Sequence, residues 1–135
     1  MKIITSIIIL TACITVSAQA ETKLEVVASV ISAEASGDGE LGLYAVGCVI
    51  MNRCEKYNKT PYEVVTAKSQ FSGYTAKNRL LRYSEVKENA DFLADNIMYL
   101  TDITGGALYF KTEREKLKPW HKVKTFEYRN HVFYK

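Results

Sequence analysis

The feature that most constrains the fold is the apolar run at residues 24–37, which predicts a buried helix with one acidic side chain near its end. The apolar residues recur at helical spacing and cover most of the helix circumference. Thr22 and Glu25 form a capping box at the start, and Gly37 can supply the left-handed residue that ends the helix. We therefore expect the other elements to pack around this helix.

Glu34 falls in the last turn of this helix. Apolar surroundings and the negative end of the helix dipole both disfavour a carboxylate there, so both should raise the pKa of Glu34. A glutamic acid that is still protonated near neutrality is suited to general-acid cleavage of a glycosidic bond. The alternative, which this stretch alone leaves open, is a solvated glutamate at a frayed helix end.

Residues 1–20 have the pattern of an export signal, with Lys2, an apolar run, and Ala18-Gln19-Ala20 before the cleavage point. The apolar run is shorter than the ~20 residues that usually span a membrane. The sequence Leu10-Thr11-Ala12-Cys13 also resembles a lipoprotein box, which would leave a lipid on the cysteine. We expect an exported protein, in the periplasm, the cell wall or outside the cell. Its mature domain is 21–135, with no membrane span after signal removal.

The charge balance argues against a nucleic-acid-binding protein, because the formal net charge of +3 falls to only +2 when Lys2 leaves with the signal. Residues 111–135, however, hold eight Lys or Arg against three Glu. A basic segment of this kind suits an anionic polymer such as a cell envelope, and a merely soluble surface is the alternative.

The remaining pattern predicts an α+β domain, mostly helical, with a small terminal sheet. Cys48 and Cys54 would lie about 9 Å apart on one helix, which is too far for a disulfide, so we expect two buried free thiols. The predicted elements are a helix from residues 38–40 to about 55, a helix at 61–67, a loop at 68–83, a helix at 84–101, strands at 107–110 and 130–134, and a basic loop between the strands.

Two kinds of chemistry can be compared from the residues alone. Metal binding would depend on His121 and His131 with Glu34, but no paired metal-ligand motif is present, and we expect no cofactor and no metal. Aromatic residues in predicted loops, Phe71 and Trp120 among them, can instead pack against sugar rings. Together with a glutamic acid of raised pKa, they suggest a polysaccharide cleft.

Five ordered blocks, which run from residue 24 to the C-terminus, resemble the SleB-type cell wall hydrolases, the catalytic domains of spore cortex-lytic enzymes and their non-spore relatives. The chain departs from the usual family pattern at Ser36, at Lys111-Thr112-Glu113 and at Tyr128-Arg129, which puts subsite contacts in question. The blocks are Ala33-Glu34-Ala35-x-Gly37, Ala45-Val46-Gly47-x-Val49-Ile50-Met51-Asn52-Arg53, Gln70-Phe71-Ser72, Thr104-Gly105-Gly106-Ala107-Leu108-Tyr109-Phe110 with Trp120, and Asn130-His131-Val132-Phe133-Tyr134.

The resemblance implies a lysozyme-like domain that cleaves peptidoglycan glycan strands between N-acetylmuramic acid and N-acetylglucosamine. It places the catalytic acid on Glu34 and implies lytic-transglycosylase chemistry, in which a single carboxylate suffices. Asp38, Glu40 and Asp102 are the candidates for a second acid, and we expect a monomer. The substrate-facing residues that the resemblance implies are Gln70, Phe71, Ser72, Tyr109, Trp120, Asn130 and His131.

Two other functions stay open. One is a peptidoglycan amidase that uses zinc through His121 and His131. The other is a protein that binds the cell wall without cleaving it.

Overall fold

The computed structural model describes residues 20–135, and within them a group of helices precedes a three-stranded antiparallel sheet. The expected α+β domain, mostly helical with a small terminal sheet, is confirmed. Cys13 and nearly all of the expected signal lie outside the described residues. The elements are α1 (Lys23–Ala35), α2 (Gly39–Tyr57), α3 (Pro61–Thr66), α4 (Arg79–Glu85), α5 (Lys87–Asp95), β1 (Tyr109–Thr112), β2 (Lys124–Tyr128) and β3 (His131–Tyr134), with short 3-10 turns at Ser36–Asp38, Ser72–Thr75 and Ile97–Tyr99.

Helix α1 is the centre of the domain, as expected, and α2, α3, α4 and α5 all pack against it. The capping box is present: the Glu25 N–H donates to Thr22 Oγ1 at 3.1 Å, and the Thr22 N–H donates to Glu25 Oε2 at 3.4 Å. The expectation that Gly37 ends the helix in a left-handed conformation is wrong. The chain instead tightens into the 3-10 turn, and the positive φ of +72° falls on Gly39, where α2 begins.

Helices α2 and α3 follow the sequence prediction. Helix α2 ends at Tyr57, and Asn58 takes the left-handed conformation with φ 52°. Cys48 and Cys54 both lie on α2 as buried free thiols, which confirms that expectation. At the start of α3 the Glu63 N–H donates to Thr60 Oγ1 at 3.2 Å, so the predicted cap is also present.

The prediction of a loop at 68–83 and a helix at 84–101 is wrong. The chain forms α4 across the boundary between the expected loop and the expected helix, breaks at Val86, and ends α5 at Asp95. Ser84 does not cap a helix, because its hydroxyl donates to the Leu81 carbonyl at 2.6 Å. Helix α4 is held by tertiary contacts instead: Arg79 Nη1 donates to Ser29 Oγ on α1 at 2.6 Å.

The sheet has the order β1-β3-β2, with both pairs antiparallel. Strand β1 begins two residues later than expected, and β3 lies where a strand was predicted. The prediction of a loop where β2 lies is wrong. The strand was missed because none of its side chains is fully buried, so its apolar signal is weak. Phe133 of β3 is almost fully buried and joins the sheet to the helical core. Within the part of the chain that the structure describes, no helix combines the length and apolar character needed to cross a membrane.

Candidate active site

Glu34 lies in the last turn of α1, and its carboxylate is held by the 3-10 turn at Ser72–Thr75. The Gly73 N–H donates to Glu34 Oε1 at 2.7 Å, and Ser72 Oγ donates to the same oxygen at 3.4 Å. Burial raises the pKa of Glu34, while the Gly73 hydrogen bond, the nearby His131 and the Ser72 hydroxyl oppose that shift. The carboxyl group therefore keeps its proton to a higher pH than an ordinary glutamic acid.

Glu34 borders a cleft of about 1190 Å³ that runs between the helices and the sheet. One wall comes from the helical part and carries Glu34, Gln70 and Ser72. The facing wall comes from β1, β3 and the segment after β1, and includes Trp120 and His131. The cleft is larger than most small-molecule pockets, and its open form suits a polymer.

The structure brings most of the predicted site residues together. Phe71 is 4% exposed and lies beneath the cleft, where its ring centroid is 6.1 Å from that of Phe110. Asn130 lies in the exposed turn between β2 and β3, and it is not part of the cleft lining. The predicted residues that do line the cleft with Glu34 are Gln70, Ser72, Tyr109, Trp120 and His131.

Arg53 is a buried cation that the sequence analysis did not assign to the site. Its Nε donates to the Leu108 carbonyl at 2.6 Å, and its Nη1 donates to Gln70 Oε1 at 3.3 Å. The guanidinium carbon lies 4.7 Å from the Phe71 ring centroid and 5.3 Å from that of Tyr109. Arg53 thus ties α2 to both walls of the cleft. The sequence signals for it were an arginine at the end of an otherwise apolar helix pattern and its place in the second of the five family blocks.

The three candidates for a second acid are engaged elsewhere. The buried carboxyl group of Asp38 contacts His131 Nδ1, and the exposed Glu40 accepts a hydrogen bond from Asn89 at 3.3 Å. Asp102 accepts backbone hydrogen bonds from the turn at 104–106, which help to lower its pKa despite burial. None of the three lines the cleft.

Glu115 is a carboxylate that does line the cleft. It accepts a hydrogen bond from Thr112 Oγ1 at 3.2 Å, and its negative charge contributes to the raised pKa of Glu34. No pattern in the sequence distinguished Glu115 from the other charges of the basic segment.

His121 packs into the sheet wall and accepts a hydrogen bond. Its Nδ1 accepts from the Lys118 N–H at 2.9 Å, and its ring centroid lies 4.8 Å from that of Tyr134. Burial lowers the pKa of His121, and the positive charges of Lys111 and Lys118 lower it further. Across residues 20–135, no group of three or more His, Cys, Asp or Glu side chains is placed to hold a metal ion.

Comparisons with known proteins agree with this architecture. The family described as Cell Wall Hydrolase matches residues 37–134, a range that begins just after Glu34. The fold is similar to the catalytic domain of the Bacillus cereus SleB protein, with a TM-score of 0.64, 21% identity, and coverage of 84% of this chain and 89% of that chain. It is also similar to the catalytic domain of the germination-specific lytic transglycosylase SleB from Bacillus anthracis, with a TM-score of 0.67, 24% identity, and coverage of 87% and 97%. No curated protein matches the chain significantly.

Proposed function

The chain belongs to the cell wall hydrolase family, and from this we propose that it cleaves the glycan strands of peptidoglycan with Glu34 as the catalytic acid. One observation carries the assignment to Glu34. Its carboxyl group faces an open cleft, is held by the Gly73 N–H at 2.7 Å, and has a pKa raised by burial. A general acid needs this combination of access, fixed geometry and retained proton.

We propose that the bond cleaved is the one between N-acetylmuramic acid and N-acetylglucosamine. Glu34 protonates the glycosidic oxygen, so the bond from that oxygen to C1 of the muramic acid breaks and the N-acetylglucosamine leaves as an alcohol. The C6 hydroxyl of the same muramic acid then bonds to C1, and its proton returns to Glu34. The product is a 1,6-anhydro sugar, and the acid is regenerated.

The surroundings of Glu34 support a role for one carboxylate in both steps. In the charged state between the two proton transfers, the Gly73 N–H and the Ser72 hydroxyl donate to Oε1. Water in place of the C6 hydroxyl would give hydrolysis, which in most glycosidases uses two carboxylates. Glu115 is the side chain that could supply the second carboxylate from within the cleft.

We also propose that residues 1–20 are removed on export. Glu21, the first residue after the expected cleavage point, belongs to the folded domain: its carboxylate pairs with Arg79 at 2.9 Å. We propose a monomer as well, supported by Glu34, Ser72 and Glu115 lining one cleft of one chain. The intact mass of the secreted protein tests the cleavage position and distinguishes it from a lipid on Cys13.

Mass spectrometry of the soluble fragments released from purified peptidoglycan by residues 21–135 tests the reaction. We expect anhydromuramic products that disappear with Glu34→Gln and persist with the matched variant Glu115→Gln. Reducing ends that disappear with both variants would indicate hydrolysis by two carboxylates. Free stem peptides would indicate an amidase, and binding without fragments would indicate a wall-binding protein; either result would contradict the proposal.

A further inference from the structure

The cleft around Glu34 carries a large excess of positive charge. Two acidic side chains line it, Glu34 and Glu115. Glu34 is the proposed catalytic acid, and Glu115 takes no part in the proposed reaction. A concave surface with charges of one sign focuses the electrostatic potential on whatever occupies it. The cations that line the cleft are Arg53, Lys59, Lys68, Lys111, Lys116 and Lys118.

These cleft cations have no carboxylate partners within residues 20–135. The acid–base contacts of that part of the chain join Arg79 to Glu21, Lys87 to Asp91, Lys124 to Glu127 and His131 to Asp38, and none of them includes one of the six cations. An unpaired cation on an open surface is ordinary, but six in one cleft leave a net charge for a ligand to neutralise.

Lys111 is the most informative of the six because it is 7% exposed. Its ammonium donates to the carbonyl of Thr112 at 3.2 Å, which satisfies one donor without neutralising the charge. A buried charge without a counter-ion is unfavourable unless a partner arrives. Lys111 lines the cleft, so an anion bound beside it would supply that partner.

Two of the cations on the sheet wall lie beside an aromatic surface. Lys111 and Lys118 lie close enough to His121 for their charges to lower its pKa. Trp120, which is 49% exposed, lies on the same wall and offers an indole face to a sugar ring. The wall opposite Glu34 therefore combines a surface for the sugar with cations beside it.

We propose that Lys111, Lys116 and Lys118 form a cationic subsite that binds carboxylates of the peptide stems on the strand being cleaved. This rests on the proposed function, since the subsite lies in the cleft of Glu34. Stems branch from alternate sugars of a peptidoglycan strand, so a strand whose sugars contact Trp120 carries stems beside it. The glycan backbone itself is uncharged where its lactyl groups are amide-bonded to stems, so the carboxylates available to these cations belong to the stems.

Binding to two forms of one substrate tests the subsite. Soluble peptidoglycan strands are first freed of phosphodiester-linked polymers, so that their anionic groups are carboxylates. Half of the preparation is then converted to methylamides at those carboxylates. Binding is measured in the Glu34→Gln background, with Lys116→Gln/Lys118→Gln as the test and Lys77→Gln/Lys122→Gln as the control. The control lysines are exposed and lie outside the cleft.

We expect the Glu34→Gln parent to bind the carboxylate form at least about threefold more tightly than the methylamide form. This preference should weaken as salt is added, and the test variant should lose it. The control should keep it. Equal binding of both forms by the parent, or an unchanged preference in the test variant, would overturn the subsite. Fragment release by the Glu34→Gln variant would contradict the assignment of Glu34 as the catalytic acid. It would not contradict the subsite, because the preference for carboxylates does not depend on cleavage.

Discussion

The backbone N–H of Gly73 donates to Oε1 of Glu34 at 2.7 Å, and the space at Gly73 admits no side chain. A Cβ at this position would lie 2.9 Å from Glu34 Oε1 and 3.0 Å from the Ala33 Cβ. The φ of Gly73 is not positive, so close packing and not backbone conformation requires the glycine. The position of the proposed acid thus depends on a residue 39 positions along the chain.

Replacing Gly73 with alanine should reduce activity about tenfold to hundredfold, because the added methyl group displaces the carboxylate and a displacement of about 1 Å has effects of this size. Fragment release from peptidoglycan measures the loss. Gly37→Ala is the matched control, since a Cβ there meets nothing within 4 Å. Full activity of Gly73→Ala would contradict the assigned geometry.

Glu34→Gln should change how stability depends on pH. The folded state raises the pKa of Glu34, so its contribution to stability is complete below the unfolded pKa and is lost as the pH rises through the folded pKa. Glutamine has no proton to lose. The free energy of unfolding of the variant, relative to the parent, should therefore increase between pH 4 and pH 7 in urea denaturation. If the free energies of unfolding of the two proteins ran parallel with pH, burial would not shift the pKa of Glu34.

The buried contact between Asp38 and His131 should be sensitive to loss of either partner. Asp38→Asn or His131→Gln should each lower the free energy of unfolding by about 2 kcal/mol, because the buried polar side chain that remains loses its partner. The double variant should lose much less than the sum of the two. The exposed pair Lys124–Glu127 is the control, and Glu127→Gln should change stability by less than about 1 kcal/mol. Additive losses at Asp38 and His131 would mean that the two side chains do not interact.

Cys48 and Cys54 should resist alkylation in the folded protein. Burial raises the pKa of each thiol to about 11, so little thiolate forms at pH 8 and access is restricted. Mass spectrometry of residues 21–135 after iodoacetamide should show no label in buffer and two labels in denaturant. Rapid labelling of the native protein would place at least one thiol at the surface.

The sequence predicted the parts of the site that depend on local pattern. Helix α1 was recognisable because its apolar residues repeat at helical spacing and a capping box begins it, and these two signals place Glu34 in the last turn. The contact from Gly73 to Glu34 was not recognisable, because no local sequence pattern indicates which carboxylate a backbone N–H contacts. Asp38 was considered as a second acid for the same reason: its partner His131 lies at the other end of the chain.

Helix α4 and strand β2 were missed for a common reason. Helix α4 buries little apolar surface apart from Tyr83 and is fixed by the bonds of Arg79 to Ser29 and Glu21. Strand β2 has no buried side chain, and its pairing with β3 defines it. Elements that depend on distant partners carry little hydrophobic periodicity of their own, and periodicity is what the prediction used.

Strand β3 is last in chain order but central in the sheet, so β1 and β2 have no partner until it arrives. Strand β3 pairs with β1 and β2 over short separations, whereas α1 packs mainly against α4 and α5, which lie far along the chain. Because contacts between segments that are close in sequence form faster, the sheet is expected to form early, and His131 brings its imidazole to Asp38 only when the sheet docks on the helices. A chain stalled between these steps would present the sheet wall without the Gly73 N–H that fixes the acid beside it.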